Sequence, residues 1–229
     1  MPARPLVPAA GPPPAGAEEA RAEQARLAPL VRTDPLDPDR VGLVAGLDVT
    51  YAPGDDRLVA AAVVLDAGTL EVVESATAVA RPAFPYVPGL FAFREVPPLL
   101  DAIGRLRTAP DVFVCDGFGL AHPRRFGLAC HLGVLLDRPA LGVGKSPFVG
   151  SAEPPGERRG SWSPLVDGGD VVGRALRTRD GVKPVYVSVG HRIDLDGATG
   201  LVLRLAPSYR LPEPIRRADR LSRDVLRGL

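Results

Sequence analysis

Three extended apolar runs separated by short turns constrain the fold more than any other feature of this sequence. The runs are Val41 to Tyr51, Leu58 to Asp66 and Leu70 to Ala80, all rich in Val, Leu and Ala. The turn segments PGDD and DAGT between them are too short for a crossover connection, so neighbouring runs must pair antiparallel. The sequence therefore predicts a three-stranded antiparallel meander.

Alternating helical and strand patterns extend this meander into a mixed sheet. A helix beginning near Pro97 and Pro98 precedes a buried strand from Asp111 to Asp116. A second helix, over Pro123 to Leu136, precedes a strand from Pro139 to Gly144. Two successive helix-then-strand units imply parallel crossovers. The predicted fold class is α/β: the meander plus parallel crossover strands, flanked by helices.

The remaining segments complete one domain with a tail. Residues 1–16 are almost entirely Pro, Ala and Gly, a composition that predicts a disordered tail, and residues 17–229 are expected to form the folded domain. Helices are predicted from Glu18 to Val31, from Asp194 to Leu205 and from Pro212 to Leu229. A hairpin with Asp180 and Gly181 at its turn is predicted over residues 171–189.

Composition limits what the chain can bind. The net charge is +1, from 28 basic and 27 acidic residues, so any binding to nucleic acid requires locally clustered charge. No apolar run is long enough to span a membrane and the N-terminus is unlike a signal peptide, so we expect a cytoplasmic protein without membrane contact. Cys115 and Cys130 lie in apolar runs and are expected to be reduced and buried.

Three acids stand in places that need explaining. Asp48 interrupts the apolar strand GLVAGLDVTY, Asp116 ends a buried strand before Gly117, and Glu95 is expected just before a helix. Taken singly, Asp48 could pair with an arginine, Asp116 could form a turn, and Glu95 could be a charge at the N-terminus of a helix. The predicted topology brings all three acids to one point, and three carboxylates around one point are typical of a Mg²⁺ site. Such an ion would activate a water and neutralise charge growing on a phosphate.

Asp219 is a fourth candidate acid, in a basic final helix. The helix carries Arg216, Arg217, Arg220, Arg223 and Arg227 against Asp219 and Asp224. One interpretation is an ordinary solvated basic helix. In the other, Asp219 completes the environment of the metal and the arginines face phosphates.

Five segments resemble, in order and spacing, the motifs of the endonuclease V family. They are GLDVTY, PYVPGLFAFRE, DGFGLAHPRRFGLACHLGVLLDRPALGVGKS, RTRDGVKPVYVSVGHR and YRLPEPIRRADRLS, and the likeness spans roughly residues 20–229. The resemblance implies a ribonuclease H-like catalytic domain that uses Mg²⁺, with Mn²⁺ as a substitute. It also implies nicking of DNA at the second phosphodiester 3′ to a deaminated purine such as hypoxanthine (deoxyinosine), leaving a 5′-phosphate.

The resemblance assigns a role to each motif residue. It makes Asp48, Glu95 and Asp116 the metal ligands and Asp219 a more variable fourth acid. Lys145 is placed near the scissile phosphate and His122 in contact with a substrate phosphate. Tyr86, held between Pro85 and Pro88, matches a wedge that fills the space left by a turned-out base. It also implies a base pocket formed largely by main chain, with Gly89, Leu90, Gly117, Leu120 and Gly142 expected to line it. His191 is expected to be structural or to contact DNA, and Arg216 is expected to face nucleic acid.

The chain departs from the family pattern at three positions. Phe118 replaces a His or Gln, Gly144 replaces the Ala of GVAKS, and Val189 replaces the Pro of SPGH. No departure removes a metal ligand. Phe118, beside the metal site, leaves the range of lesions open.

The sequence leaves three alternative functions: nucleotide binding, nucleic-acid binding without catalysis, and cleavage of RNA. PALGVGKS is nearly a phosphate-binding loop, but Pro139 replaces the first glycine and Pro147 follows where a helix should begin. A non-catalytic nucleic-acid binder is disfavoured because all four acids are present. A nuclease for inosine-containing RNA is the closest rival. We favour DNA, because arginine-heavy usage is typical of GC-rich bacterial coding, and we expect a monomer.

Overall fold

The computed structural model describes residue 7, residues 13–54 and residues 57–229. In these residues the strands are β1 (Leu43–Tyr51), β2 (Leu58–Asp66), β3 (Val72–Ala80), β4 (Val112–Asp116), β5 (Ala140–Gly144), β6 (Trp162–Asp167), β7 (Asp170–Leu176) and β8 (Val185–His191). The helices are α1 (Ala17–Leu27), α2 (Ala92–Ile103), α3 (Leu128–Leu136), α4 (Leu195–Arg204) and α5 (Glu213–Arg227). All eight strands form one sheet in the order β3-β2-β1-β4-β5-β8-β7-β6.

The strand pairing confirms the predicted mixed sheet. β1, β2 and β3 form the antiparallel meander, with Asp48 opposite Ala61. β4 lies parallel to β1, and β5 lies parallel to β4. The carboxyl ends of β1, β4 and β5 therefore meet at the same edge of the sheet, where α/β folds commonly place ligands.

Helices cover both faces of the sheet. On one face, Val44 and Val114 of the central strands pack with Leu201 of α4 and Ile215 of α5. On the other face, Leu47 is in the cluster that contains residues of α2 and α3. Cys115 and Cys130 are buried and unpaired with each other, as predicted.

Two predicted helices have different boundaries in the structure. α2 begins at Ala92, before the predicted start at Pro97, because its apolar face continues back through Phe93 and Val96 into the core. Glu95 therefore lies in the first turn of α2 instead of preceding it. Residues 123–127 are not helical, because Arg125 has a φ of 51° and Gly127 is extended.

The second half of the sheet was predicted incompletely. β6 was missed because its serine and proline are unusual in strands, yet an edge strand tolerates Pro164. β6 and β7 form a hairpin joined by Gly168 and Gly169. The predicted pair formed by β7 and β8 is present, although β7 ends at Leu176.

The predicted disorder of residues 1–16 falls largely on residues 1–6 and 8–12, which lie outside the described residues, and so remains a prediction. None of the helices in the described part of the chain has the length and apolar character that crossing a bilayer requires.

Gly46 lets α5 approach the centre of the sheet. A Cβ atom at this position would overlap the backbone carbonyl of Pro214 in the first turn of α5. The clash is with backbone, so a neighbouring rotamer change cannot relieve it. The absence of a side chain at Gly46 thus sets how closely the helix carrying Asp219 and Ser222 lies against β1.

We expect Gly46→Ala to lower the free energy of unfolding by about 3 kcal/mol, because α5 must move away from the sheet. Denaturant unfolding measures this loss. Gly42→Ala is the matched control, since its added Cβ would lie 3.5 Å from Asp111 Oδ2, an ordinary contact. Equal stability of the two variants would contradict this account of α5 packing.

Candidate metal centre and the adjoining cavity

Asp48 and Asp116 lie side by side at the carboxyl ends of neighbouring strands. Leu47 of β1 pairs with Cys115 of β4 in parallel register, and the two aspartates are the next residues along each strand. Residues at matching positions of parallel strands project from the same face. The sheet therefore brings together two carboxylates that are 68 positions apart in the sequence.

Glu95 approaches these aspartates from α2. Its side chain is buried, with 4% of the residue exposed, and Tyr51 Oη donates a hydrogen bond to Glu95 Oε1 at 3.4 Å. Burial raises the pKa of Glu95 well above its ordinary value, and the charges of Asp48 and Asp116 raise it further. Both causes disfavour the carboxylate form.

Asp48 is held by two hydroxyl groups. Ser222 Oγ on α5 donates to Asp48 Oδ2 at 2.9 Å, and Thr50 Oγ1 lies 3.4 Å from the same oxygen. Burial raises the pKa of Asp48 to about 6; the Ser222 hydrogen bond opposes the rise, while Asp116 and Asp219 add to it. Even with two hydroxyl partners, the environment remains unfavourable for a negative charge.

Lys145 supplies a positive charge at this centre. It follows β5 directly, and its Nζ donates to Asp116 Oδ2 at 2.7 Å. Burial lowers the pKa of Lys145, but Asp116, Asp48 and Asp219 together raise it above its ordinary value. The segment after Lys145 is a loop, not the helix that a phosphate-binding loop requires, so the nucleotide-binding alternative has no support.

The carboxylates are neighbours but do not form a closed cage. In the described part of the chain, no three acidic, histidine or cysteine side chains are close enough to hold a metal ion together. Lys145 engages Asp116 in this arrangement, and the three-carboxylate Mg²⁺ site stays a prediction. The donor set itself, all carboxylate oxygen, suits a hard divalent cation such as Mg²⁺.

Asp219 on α5 adds negative charge near Asp48, whereas Arg216 on the same helix contacts Tyr209 and Glu213. Asp219 Oδ1 accepts a hydrogen bond from Arg223 Nε at 2.8 Å. Arg216 Cζ lies 3.4 Å from the centre of the Tyr209 ring, and Arg216 Nη1 lies 2.5 Å from Glu213 Oε1. Stacking and ion pairing thus engage its guanidinium, and the expected nucleic-acid contact of Arg216 stays a prediction.

A cavity of about 270 Å³ opens beside Asp116. Much of its wall is aromatic, and Asp116 belongs to both the cavity and the carboxylate group. Tyr86 is 68% exposed at the rim and makes an edge contact with Phe91, at 5.9 Å between ring centres. The lining residues are Tyr86, Pro88, Gly89, Phe91, Ala92, Asp116, Gly117, Phe118, His122, Gly127, Leu128 and Phe148.

The predicted pocket residues divide into lining and supporting positions. Pro88, Gly89 and Gly117 line the cavity, whereas Pro85 is exposed outside it. The others lie behind the wall. Leu90 is fully buried. Leu120 packs partly against the core. Gly142 supports the wall from β5, since a Cβ there would lie 2.6 Å from the carbonyl oxygen of Gly117.

His122 has both ring nitrogens engaged in the protein, and its expected phosphate contact stays a prediction. Its Nδ1 accepts from the backbone N–H of Arg124 at 3.2 Å, so Nε2 carries the proton donated to the carbonyl of Gly89 at 3.0 Å. Burial lowers the pKa of His122 to about 4, and Arg124 contributes to the shift. The ring is neutral with both nitrogens engaged, so it fixes the wall of the cavity.

His191 lies at the opposite end of the sheet. It pairs with Ala140, where β5 begins, whereas Lys145 follows the end of β5. Only 3% of His191 is exposed, and its Nδ1 accepts from the backbone N–H of Arg32 at 3.2 Å. The side chain therefore ties the segment after α1 to β8, in agreement with the structural alternative, and contact with nucleic acid stays a prediction.

Three contributors to the site were missed in the sequence. Thr50 and Ser222 are ordinary residues of a strand and a helix, and only their spacing from Asp48 and Asp219 could have indicated them. Phe148 lies beyond a proline in a loop, where no periodic pattern predicts its position. It stacks against Phe118 with 5.9 Å between ring centres.

The two departures from the family pattern at positions 118 and 144 are coupled in the structure. The Phe118 ring lies against the backbone of Gly144 on β5, and a Cβ atom at position 144 would overlap the ring. Glycine at position 144 therefore makes room for phenylalanine at position 118. The result is an apolar wall, formed by Phe118 and Phe148, close to Asp116.

Comparison with known proteins gives one consistent relationship. A family model described as Endonuclease V matches residues 25–220. The chain is 58% identical over 215 residues to Endonuclease V of Streptomyces avermitilis, covering 93% of this chain and 94% of that protein. It also resembles a crystal structure of the Endonuclease V from that organism, with 56% identity, a TM-score of 0.91 and 97% of each chain covered.

A more distant structural relative was crystallised with nucleic acid. Endonuclease V of Ciona intestinalis, in complex with a 24mer DNA containing an inosine followed by a ribo-adenosine, has a TM-score of 0.81 and 27% identity. The comparison covers 92% of this chain and 98% of that one. These structural relatives establish the fold of the present chain as ribonuclease H-like.

A double-mutant cycle tests the coupling between Phe118 and Gly144. We expect Gly144→Ala to lower the free energy of unfolding by roughly 1–2 kcal/mol in the natural background and by almost nothing in the Phe118→Ala background. The difference arises because only the ring opposes the added methyl group. Denaturant unfolding of the four proteins gives the coupling, and an equal cost in both backgrounds would contradict it.

Proposed function

Since the chain belongs to the endonuclease V family, we propose that it is a Mg²⁺-dependent endonuclease that nicks DNA at the second phosphodiester 3′ to a deaminated purine, leaving a 5′-phosphate. One observation carries the proposal. Asp116 belongs at once to a group of carboxylates, of which Asp48 and Glu95 are buried, and to the wall of an aromatic-lined cavity. A site for bond cleavage and a site for a base are thus adjacent.

The carboxylates supply the cation site. Asp48, Glu95 and Asp116 would hold Mg²⁺, with Asp219 contributing negative charge from α5. When bound, the ion offsets the repulsion between these carboxylates and withdraws charge from a phosphate oxygen. Mn²⁺, which accepts the same oxygen ligands, is expected to substitute.

The neighbouring side chains orient this site. Ser222 and Thr50 fix Asp48, and Tyr51 donates to Glu95. Lys145 is half-exposed and already carries its charge next to Asp116. When phosphate approaches, the Lys145 ammonium stabilises the negative charge that develops during cleavage.

The cavity supplies recognition of the base. A base turned out of the duplex is received between apolar walls, while its edges meet main-chain groups. Pro88, Gly89 and Gly117 bring backbone to the cavity surface, and Phe118 and Phe148 supply aromatic surface. Tyr86, exposed at the rim, takes the place of the displaced base in the stack.

DNA containing deoxyinosine is the proposed substrate. The Ciona intestinalis relative was crystallised with inosine in DNA, and in that ligand a ribo-adenosine follows the inosine. Inosine-containing RNA is therefore the second candidate substrate. Discrimination between the two depends on contacts to the 2′-hydroxyl beside the lesion.

A nicking assay tests the proposal. In Mg²⁺, the wild-type protein should cut a deoxyinosine duplex at the second phosphodiester 3′ to the lesion and leave an unmodified duplex intact. Asp48→Asn, Glu95→Gln and Asp116→Asn should each lower the rate by roughly a thousandfold or more, because each removes negative charge that holds the cation. An inosine RNA of the same sequence gives the comparison between substrates.

Asp224→Asn is the matched control. Asp224 lies on α5, the helix of Asp219, and pairs with Arg220 and Arg227 on the surface. Its isosteric change should leave the rate within about twofold of wild type. Binding of deoxyinosine DNA without any Mg²⁺-dependent cleavage would reject the nuclease in favour of a non-catalytic binder.

A further inference from the structure

The loop that carries Tyr86 is exposed at its tip and anchored at both ends. We call residues 84–90 the tyrosine loop. Phe84 and Leu90 at its ends are buried in a small apolar cluster with Ala20 of α1 and Phe93 of α2. Arg94 Nη1 also donates to the carbonyl of Phe84 at 3.1 Å. The N-terminal helix thus forms part of the base on which the loop rests.

One carbonyl oxygen of the tyrosine loop accepts hydrogen bonds from three side chains. The carbonyl oxygen of Gly89 accepts hydrogen bonds from Gln24 Nε2 at 3.0 Å, His122 Nε2 at 3.0 Å and Arg124 Nη2 at 2.5 Å. A carbonyl oxygen has two lone pairs, so three donors saturate it. The orientation of this peptide group is therefore fixed from α1 on one side and from residues 122–124 on the other.

Gln24 is central to this network. It lies on α1, is 1% exposed, and donates to Gly89 from 65 residues away in the sequence. The same Nε2 donates to the carbonyl of Phe126 at 3.1 Å, and Gln24 Oε1 accepts from Arg124 Nε at 2.5 Å. Every hydrogen-bonding group of this buried amide is thus engaged.

The conformation of Gly89 makes the loop dependent on this support. Its φ is 78°, in the left-handed region that favours glycine, and a Cβ would lie 2.7 Å from Arg124 Nη2. Glycine is also the most flexible residue in the backbone. Hydrogen bonds to its carbonyl therefore select one conformation of a peptide that would otherwise sample several.

We propose that Gln24 is a positioning residue that holds the tyrosine loop in the shape that admits a turned-out base. The inference rests on the proposed function for the substrate it names. Gln24 touches neither the carboxylates nor the cavity, which it influences through Gly89, a residue of the cavity wall. The N-terminal helix is thereby part of the recognition of the base, although no residue of α1 lines the cavity.

The first test measures the loop in the free protein, without nucleic acid. Gln24→Met keeps the length of the side chain and removes its hydrogen bonds. Amide hydrogen exchange over residues 84–91 should accelerate by roughly tenfold, since loss of these hydrogen bonds favours local opening. Arg26→Gln is the control, because Arg26 lies exposed on the same helix and pairs with Glu23 on the surface.

A second variant approaches the same carbonyl from the opposite side. Arg124→Met removes one of the three donors to Gly89 and also the hydrogen bond that Gln24 Oε1 accepts, without changing any residue of α1, so exchange over the same residues should also accelerate. If Gln24→Met does not fold, exchange in Arg124→Met shows whether the hydrogen bonds among Gln24, Arg124 and Gly89 hold the tyrosine loop. Exchange over 84–91 that matches wild type in the folded variants would overturn the proposal.

The final test separates positioning from general destabilisation by nicking kinetics. For a deoxyinosine duplex, Gln24→Met should raise KM roughly tenfold while kcat stays within about twofold, because the loop admits the base and takes no part in cleavage. A fall in kcat with KM unchanged would overturn the role in recognition. If wild type does not nick this duplex, the proposed function fails, while the exchange result still decides whether Gln24 anchors the loop.

Discussion

The proposed chemistry depends on the repulsion between carboxylates that the ends of β1 and β4 and the first turn of α2 bring together. Asp48 and Glu95 are buried near Asp116, and burial and mutual repulsion raise the pKa of both. Hydrogen bonds from Ser222 and Tyr51 and the charge of Lys145 offset only part of this cost. A cation bound here would offset the cost of keeping these carboxylates charged at neutral pH, which is the physical basis of the proposed Mg²⁺ site.

The sequence predicted those parts of the fold that local rules control. Short turns dictated the meander, and alternating helices and strands dictated the parallel crossovers. It failed where tertiary packing overrides a local signal. α2 extends back past Pro97 because Phe93 and Val96 are drawn into the core. β6 contains Pro164, which local rules exclude from a strand but an edge position permits.

The sequence likewise revealed the site residues that have a local signal and missed the contacts that depend on tertiary packing. A charged residue inside an apolar strand is visible in a sequence, so Asp48 and Asp116 could be found. Hydrogen-bond partners are not visible, so the sequence did not indicate that both nitrogens of His122 are engaged or that His191 lies at the start of β5 in the sheet. Gln24 on a polar helix gives no sequence signal, because its burial depends on the tyrosine loop 65 residues away.

Stability measured as a function of Mg²⁺ tests the central claim most directly, because a cation that relieves the repulsion must favour the folded state. At a hundredfold excess over the dissociation constant, Mg²⁺ should raise the free energy of unfolding of the wild-type protein by about 3 kcal/mol. The effect should be lost in Asp48→Asn and in Asp116→Asn. A wild-type protein indifferent to Mg²⁺, or variants stabilised as strongly as wild type, would contradict the account.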